Sequence, residues 1–138
     1  MEPIIRVVGV VMRDERGRIL TVRKRGTSRF MLPGGKPEPE ETVEETAARE
    51  CAEELHAVLN PEQLTLLGRF ESAAANEPGH RLESTVMVHP LVAHGEPAAE
   101  IAELRWLDAS APLPGDLAPL LEHHVVPALA AQAGQTEE

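Results

Sequence analysis

The stretch Gly35-Lys36-Pro37-Glu38-Pro39-Glu40-Glu41-Thr42-Val43-Glu44-Glu45-Thr46-Ala47-Ala48-Arg49-Glu50-Cys51-Ala52-Glu53-Glu54-Leu55-His56-Ala57 decides the fold. Thr42, with Glu45 three residues on, has the form of a capping box, and Glu44 and Glu45 suit the positive end of a helix dipole. A helix is therefore expected to begin there. Val43, Ala47, Cys51 and Leu55 recur every four residues with Ala48 and Ala52 beside them, so a stripe of small side chains is buried and a stripe of carboxylates faces outward. The helix should end before Asn60-Pro61, because a residue preceding proline is pushed out of the helical region. Upstream, Phe30-Met31-Leu32 closes in Pro33-Gly34-Gly35, which cannot continue a helix and sets two permissive backbones side by side. A loop is expected from there to about Glu41.

On either side the chain alternates between strand and helix character. Ile4 to Met12 is β-branched and apolar, Asp14 to Arg18 supplies a turn, and Ile19-Leu20-Thr21-Val22 resumes, which predicts a hairpin. Leu64 to Phe70, Leu82 to His89 and Ile101 to Leu107 read as further strands, with Ser72 to His80 connecting the first two. Asp116 is the expected N-cap of a last helix through Leu117, Leu120, Leu121 and Val125, and Pro127 should break or kink it. The fold class is thus α/β, a mixed sheet between helices. The 138 residues make one domain, residues 1–133, with a frayed tail at 134–138.

Composition narrows the function classes. The hydrophobic fraction is 42% and the charged fraction 26%, which excludes a disordered or fibrous chain. No apolar run approaches the roughly 18–20 residues that span a bilayer, and Met1-Glu2-Pro3-Ile4 lacks the basic start and apolar stretch of a signal peptide. A cytoplasmic protein with no membrane partner is expected. One cysteine, Cys51, can form no internal disulfide and no cysteine zinc site, and is read as a small core residue. The net charge of −10 argues against a nucleic-acid polymer as partner. It is unevenly spread: the first 37 positions hold nine basic and three acidic residues, a net +6, and the rest of the chain carries −16. Glu38 to Glu54 contains eight glutamates against Arg49 alone.

Glu50, Glu53 and Glu54 stand at i, i+3 and i+4, neighbours on one helical face. Most glutamate-rich helix faces are simply solvated. The carboxylates also crowd one another near a Gly-Gly loop, and carboxylate oxygens on a rigid support are the hard ligands that Mg2+ or Mn2+ prefers, so on spacing alone a solvated face and a metal–phosphate site both stay open. From Gly35 the chain reads glycine, five residues, Glu41, seven residues, then Arg49-Glu50-Cys51-Ala52-Glu53-Glu54-Leu55-His56-Ala57. This resembles the signature of the Nudix (MutT-like) hydrolases, with every charged position matched at its spacing. The resemblance implies a Nudix fold over the whole chain and Mg2+ as cofactor, with Mn2+ as an alternative. It also implies that Glu50, Glu53 and Glu54 bind the metal together with the Gly34 carbonyl. Arg49, Glu41 and Gly35 would support those ligands, Arg49 by charge-assisted hydrogen bonds.

Relatives often recruit one more glutamate. Glu100 and Glu103 are the first candidates for that further ligand or general base, ahead of Glu83 and Glu71, with Glu100 preferred because it should precede its strand and lie on the loop side and Glu103 a candidate on the substrate side; either could equally be a surface carboxylate. Arg23 and Arg25, on one strand face, and Arg29 and Lys36, near the Gly loop, are candidate phosphate ligands. Exposed basic residues on a hairpin edge also discourage edge-to-edge pairing, and that alternative stays open for each. Two positions depart from the family pattern. His56 replaces the last glycine, so that the helix either ends in a left-handed residue or runs on to Val58 or Leu59. Glu40 stands where relatives often have glycine.

The expected activity is Mg2+-dependent hydrolysis of a diphosphate linkage in a nucleoside diphosphate derivative, foremost a (d)NTP pyrophosphohydrolase of MutT-like type. Alternatives are a nucleotide-sugar or ADP-ribose hydrolase, a Nudix module that senses a nucleotide without cleaving it, and a plain acidic interaction domain. A small nucleotide is the expected partner, and a homodimer is left open.

Overall fold

The computed structural model describes residues 3–74 and 77–136, with side chains described to Gln132. Six strands, β1 Ile4–Val11, β2 Ile19–Lys24, β3 Gly34–Gly35, β4 Thr65–Ala73, β5 Arg81–Val88 and β6 Ile101–Leu107, combine with helices α1 Val43–Leu55 and α2 Val126–Thr136. They form a mixed four-stranded sheet in the order β3-β1-β5-β4 and a two-stranded antiparallel sheet of β2 and β6. The β1–β5 pair is parallel in register from Ile4↔Arg81 to Val11↔Val88, whereas β3 and β4 run antiparallel to their neighbours.

Alternation along β1 makes the two cores. Val8, Val10 and Met12 pack toward α1 with Leu20, Val22, Ala47, Cys51 and Leu55. Val11 turns the other way and joins Ile19, Phe30, Leu32, Leu117, Leu121, Val125 and Leu129. The large sheet therefore lies between the two helices, as the α/β reading expects. No helix of the described residues is long and apolar enough to cross a membrane.

Several expectations need correction. The hairpin exists only at its tip, where Asp14 N–H donates to the Arg18 carbonyl at 3.0 Å and Leu20 N–H to the Met12 carbonyl at 2.9 Å. Beyond that, β1 pairs with β5 and β2 leaves to pair with β6 in the second sheet. Asp116 caps no helix: its carbonyl accepts from Phe30 N–H at 2.8 Å and its carboxylate is held by Arg105. Pro127 does not break the last helix. A π-turn over Leu121–Val125 precedes it, with Val126 N–H reaching back to the Leu121 carbonyl, and so absorbs the missing donor before the chain enters α2. Helical backbone continues past Gly134 to Thr136, and Glu137 and Glu138 lie outside the described residues.

Candidate active site

The capping box sets where α1 begins. Thr42 Oγ1 accepts from Glu45 N–H at 3.1 Å and Glu45 returns the bond to Thr42 N–H at 2.9 Å. At the other end the helix stops at Leu55 and His56 takes the left-handed conformation, φ 54°. Of the two alternatives for His56, the structure has the former, with a β-branched Val58 and the Asn60-Pro61 pair following. The freed carbonyls at this end are taken by the loop between β5 and β6: Gly95 N–H donates to Leu55 at 2.7 Å and Ala98 N–H to Glu54 at 2.9 Å. That capping draws the start of β6, and with it Glu100, toward the acidic helix.

Arg49 joins the helix to the glycine loop. Its guanidinium donates to both oxygens of Glu41, at 2.7 and 2.9 Å, to Glu50 Oε1 at 2.8 Å and to the Lys36 carbonyl at 3.0 Å. Glu41 also accepts from Thr46 Oγ1 at 2.7 Å and Glu38 N–H at 3.0 Å. The Arg49 hydrogen bonds above all hold the Glu41 carboxyl down at about 2, and Arg49 in turn is held firmly charged. Glu40 adopts a left-handed φ of 66°, so the turn that often carries glycine is made here without one.

Gly34 is sterically required, whereas a side chain at Gly35 would have to displace the Glu50 carboxylate. Gly34, at φ 149°, pairs with Gly9 of β1, and a β-carbon there would collide with the Val8 carbonyl. A β-carbon on Gly35 would collide with the Glu50 carboxylate. Gly34 N–H donates to Glu54 Oε1 at 3.0 Å. Glu54 itself is only 4% exposed, and burial, reinforced by the charges of Glu50 and Glu100, pushes its carboxyl up to about 8. Burial also raises Glu50 against the opposing pull of Arg49. Cys51 lies fully buried behind them, its thiol pushed up to about 12 by burial and then by Glu54 and Glu50, which fits its reading as a core residue.

The donor set suits a hard divalent cation. Two carboxylates one turn apart resist ionisation because they are buried near other acids, and a cation would remove that resistance. Among the described residues, no three histidine, cysteine or carboxylate side chains are gathered closely enough to hold a metal by themselves. Glu53 stays half-exposed, 3.5 Å from Arg49. The remaining ligands would come from backbone, water and substrate, as is usual for Mg2+.

A cavity of about 400 Å3 opens beside these groups, and the structure sorts the candidate residues by it. Gly34, Gly35, Lys36, Glu50 and Glu100 line it. Arg23, Arg25, Arg29 and Glu103 are not among its lining residues, and neither are Glu41, Arg49, Glu53 and Glu54. Arg23 is bound to Glu103 at 2.8 Å and to the Thr27 carbonyl at 2.8 Å, and Arg29 donates to the Leu117 carbonyl at 3.0 Å.

Sequence reasoning missed Lys24, which lines the cavity and stands 3.8 Å from Glu100. The signal was present. Strand alternation puts Lys24 on the face of Leu20 and Val22, which pack toward α1, and opposite Arg23 and Arg25. A bulge between Arg23 and Lys24 in the pairing with β6 falls at this point, as bulges beside functional sites do. The far wall of the cavity is aliphatic: Val7, Leu82, Ala118, Pro119, Leu120 and Leu121.

A family model described as NUDIX domain matches residues 3–128. The RNA pyrophosphohydrolase of Marinomonas sp. (strain MWYL1) is 36% identical over 62 residues, which is 45% of this chain and 37% of that protein, so the chain spans well under two thirds of that relative. Among solved structures, the MutT NUDIX hydrolase from Burkholderia pseudomallei is 27% identical, with 94% of this chain and 98% of that chain covered at a TM-score of 0.70. The MutT protein from Methanosarcina mazei Go1 is similar in fold, at 21% identity, 99% and 98% coverage and a TM-score of 0.70.

Proposed function

Because the chain belongs to the NUDIX family, we propose that it hydrolyses a diphosphate linkage with Mg2+ as cofactor, and that its substrate is a nucleoside triphosphate cleaved by water to the monophosphate and pyrophosphate. The observation that carries this reading is one cavity whose lining brings Gly34, Gly35, Lys24, Lys36, Glu50, Glu77 and Glu100 together with aliphatic side chains. Cations and ion-binding carboxylates meet there at the mouth of a space that takes an organic group.

In this reading Glu50, Glu53 and Glu54, with the Gly34 carbonyl, hold the metal, and Lys24 and Lys36 receive phosphate oxygens. A bound Mg2+ supplies polarisation of the phosphate and a more acidic water. Arg49 keeps Glu50 aimed by gripping Glu41 and the Lys36 carbonyl, which is how a site is held preorganised. Glu100, on the cavity lining and mostly exposed, is the carboxylate we assign to accept the proton of the attacking water; Glu103 is engaged with Arg23.

The test is a screen of nucleoside triphosphates, a nucleotide sugar, ADP-ribose and 5′-triphosphorylated RNA with Mg2+, reading phosphate and pyrophosphate separately. Pyrophosphate release from a triphosphate is expected. Glu53→Gln, at a half-exposed side chain, should stay folded and lose at least about a hundredfold in kcat. Full turnover by that variant would defeat the mechanism, and nucleotide binding without any product would favour a sensor.

A further inference from the structure

We infer that Arg105, which lies outside the cavity, is a positioning residue for the organic group of the substrate, because its side chain bridges the two segments that form the aliphatic wall. This inference rests on the proposed function for what the cavity binds. One segment is Phe30-Met31-Leu32, of which Met31 and Leu32 line the cavity; the other is Ala118–Leu121. The two meet through a short backbone bridge: Phe30 N–H donates to the Asp116 carbonyl and Ala118 N–H to the Phe30 carbonyl, each at 2.8 Å.

The segment follows Pro112, Pro114 and Gly115; its buried Leu117 and Leu121 and the Arg29 bond to the Leu117 carbonyl anchor its later part, and Arg105 ties its start. The Arg105 guanidinium closes over both partners. It grips Asp116 in a fork, Nη2 to Oδ1 at 2.7 Å and Nη1 to Oδ2 at 3.0 Å, and its carbon lies 3.6 Å from the centre of the Phe30 ring. The fork fixes angle as well as distance, and the ring contact adds a cation–π attraction. The base of the side chain is itself fixed, since Arg105 pairs with Thr21 in the second sheet and its carbonyl accepts from the buried Thr21 hydroxyl at 2.6 Å. A residue of the small sheet thereby braces the wall from its outer side, next to the Val22–Met31 backbone pair that already ties Met31 to β2 at 2.8 Å in both directions. The phosphate end, at Gly34–Lys36 and Glu50, follows Leu32 through Pro33 but has holds of its own, Arg49 to α1 and the Gly34–Gly9 pairing to β1.

The two ends of the cavity can therefore be perturbed separately. In Arg105→Ala, a nucleoside triphosphate analogue with an imido link in place of the scissile bridge should bind about three- to tenfold more weakly in Mg2+, and KM should rise by the same factor with kcat kept. Binding of inorganic pyrophosphate with Mg2+ should stay within about twofold. Arg105→Lys keeps the charge without the fork and should recover only part of the loss. Equal weakening of analogue and pyrophosphate would mark a merely structural role and overturn the inference. So would unchanged analogue binding in Arg105→Ala, or a wild type that binds pyrophosphate and no nucleotide. A wild type that binds the analogue but turns over no nucleotide would defeat the proposed hydrolysis alone, and the comparison of the two probes would still decide the role of Arg105.

Discussion

Replacing Glu54 with glutamine in the metal-free protein should change how stability depends on pH, and the sign follows from burial. The Glu54 carboxyl is raised from 4.5 to about 8 in the fold. Between those values the native protein keeps a proton that the unfolded chain has released, so the contribution of Glu54 is full below about 4.5 and is lost as pH rises through about 8. At about 1.4 kcal/mol per pH unit, the whole interval corresponds to at most about 5 kcal/mol, of which about 3 kcal/mol falls between pH 5.5 and 8. Glutamine has nearly the same shape, still accepts the Gly34 N–H, and never ionises. The difference in unfolding free energy between wild type and Glu54→Gln, from urea titrations in EDTA, should therefore swing toward the variant by about that amount as pH is raised. Mg2+ should reverse the swing for the wild type, by about 2.7 kcal/mol at a hundred times its dissociation constant, and do little for the variant. Parallel pH profiles for the two proteins in EDTA would refute the assignment of a buried, destabilised carboxyl awaiting a cation.

Three further outcomes follow from the same geometry. Arg49→Lys loses the fork that joins Glu41, Glu50 and the Lys36 carbonyl, so kcat should fall about ten- to a hundredfold while far-UV dichroism is unchanged. Lys24→Ala removes a cation from the cavity lining beside Glu100, and KM for the triphosphate should rise about tenfold in steady-state assays. His56→Gly relieves a left-handed residue at the end of α1, which should raise the urea midpoint by the equivalent of about 1 kcal/mol and leave turnover alone.

Much of the site was legible because it is local. Thr42 and Glu45 are three residues apart and the acidic triad is spaced by helix geometry, so the position of the carboxylates depends on nothing distant. The basic side of the candidate site was less legible for a physical reason: Arg23, Arg25 and Arg29 carry the chemistry proposed for phosphate, but which face of a strand meets the cavity depends on what packs behind it. Leu20 and Val22 point toward α1, and Lys24 follows them. The hairpin was misjudged in the same way, since a tight turn fixes only its own two or three hydrogen bonds, whereas strand partners are chosen across the whole chain.

By itself, then, the sequence determined the α1 helix, its N-cap, the glycine loop before it and the family to which these belong, because each rests on hydrogen bonds and spacings within a few residues. Only the tertiary structure decided that Glu54 is buried, that Lys24 and not its arginine neighbours lines the cavity, and that Arg105 reaches from the small sheet to Asp116 and Phe30. Burial and long-range contact depend on every segment that packs around a residue, and no short stretch of sequence contains them.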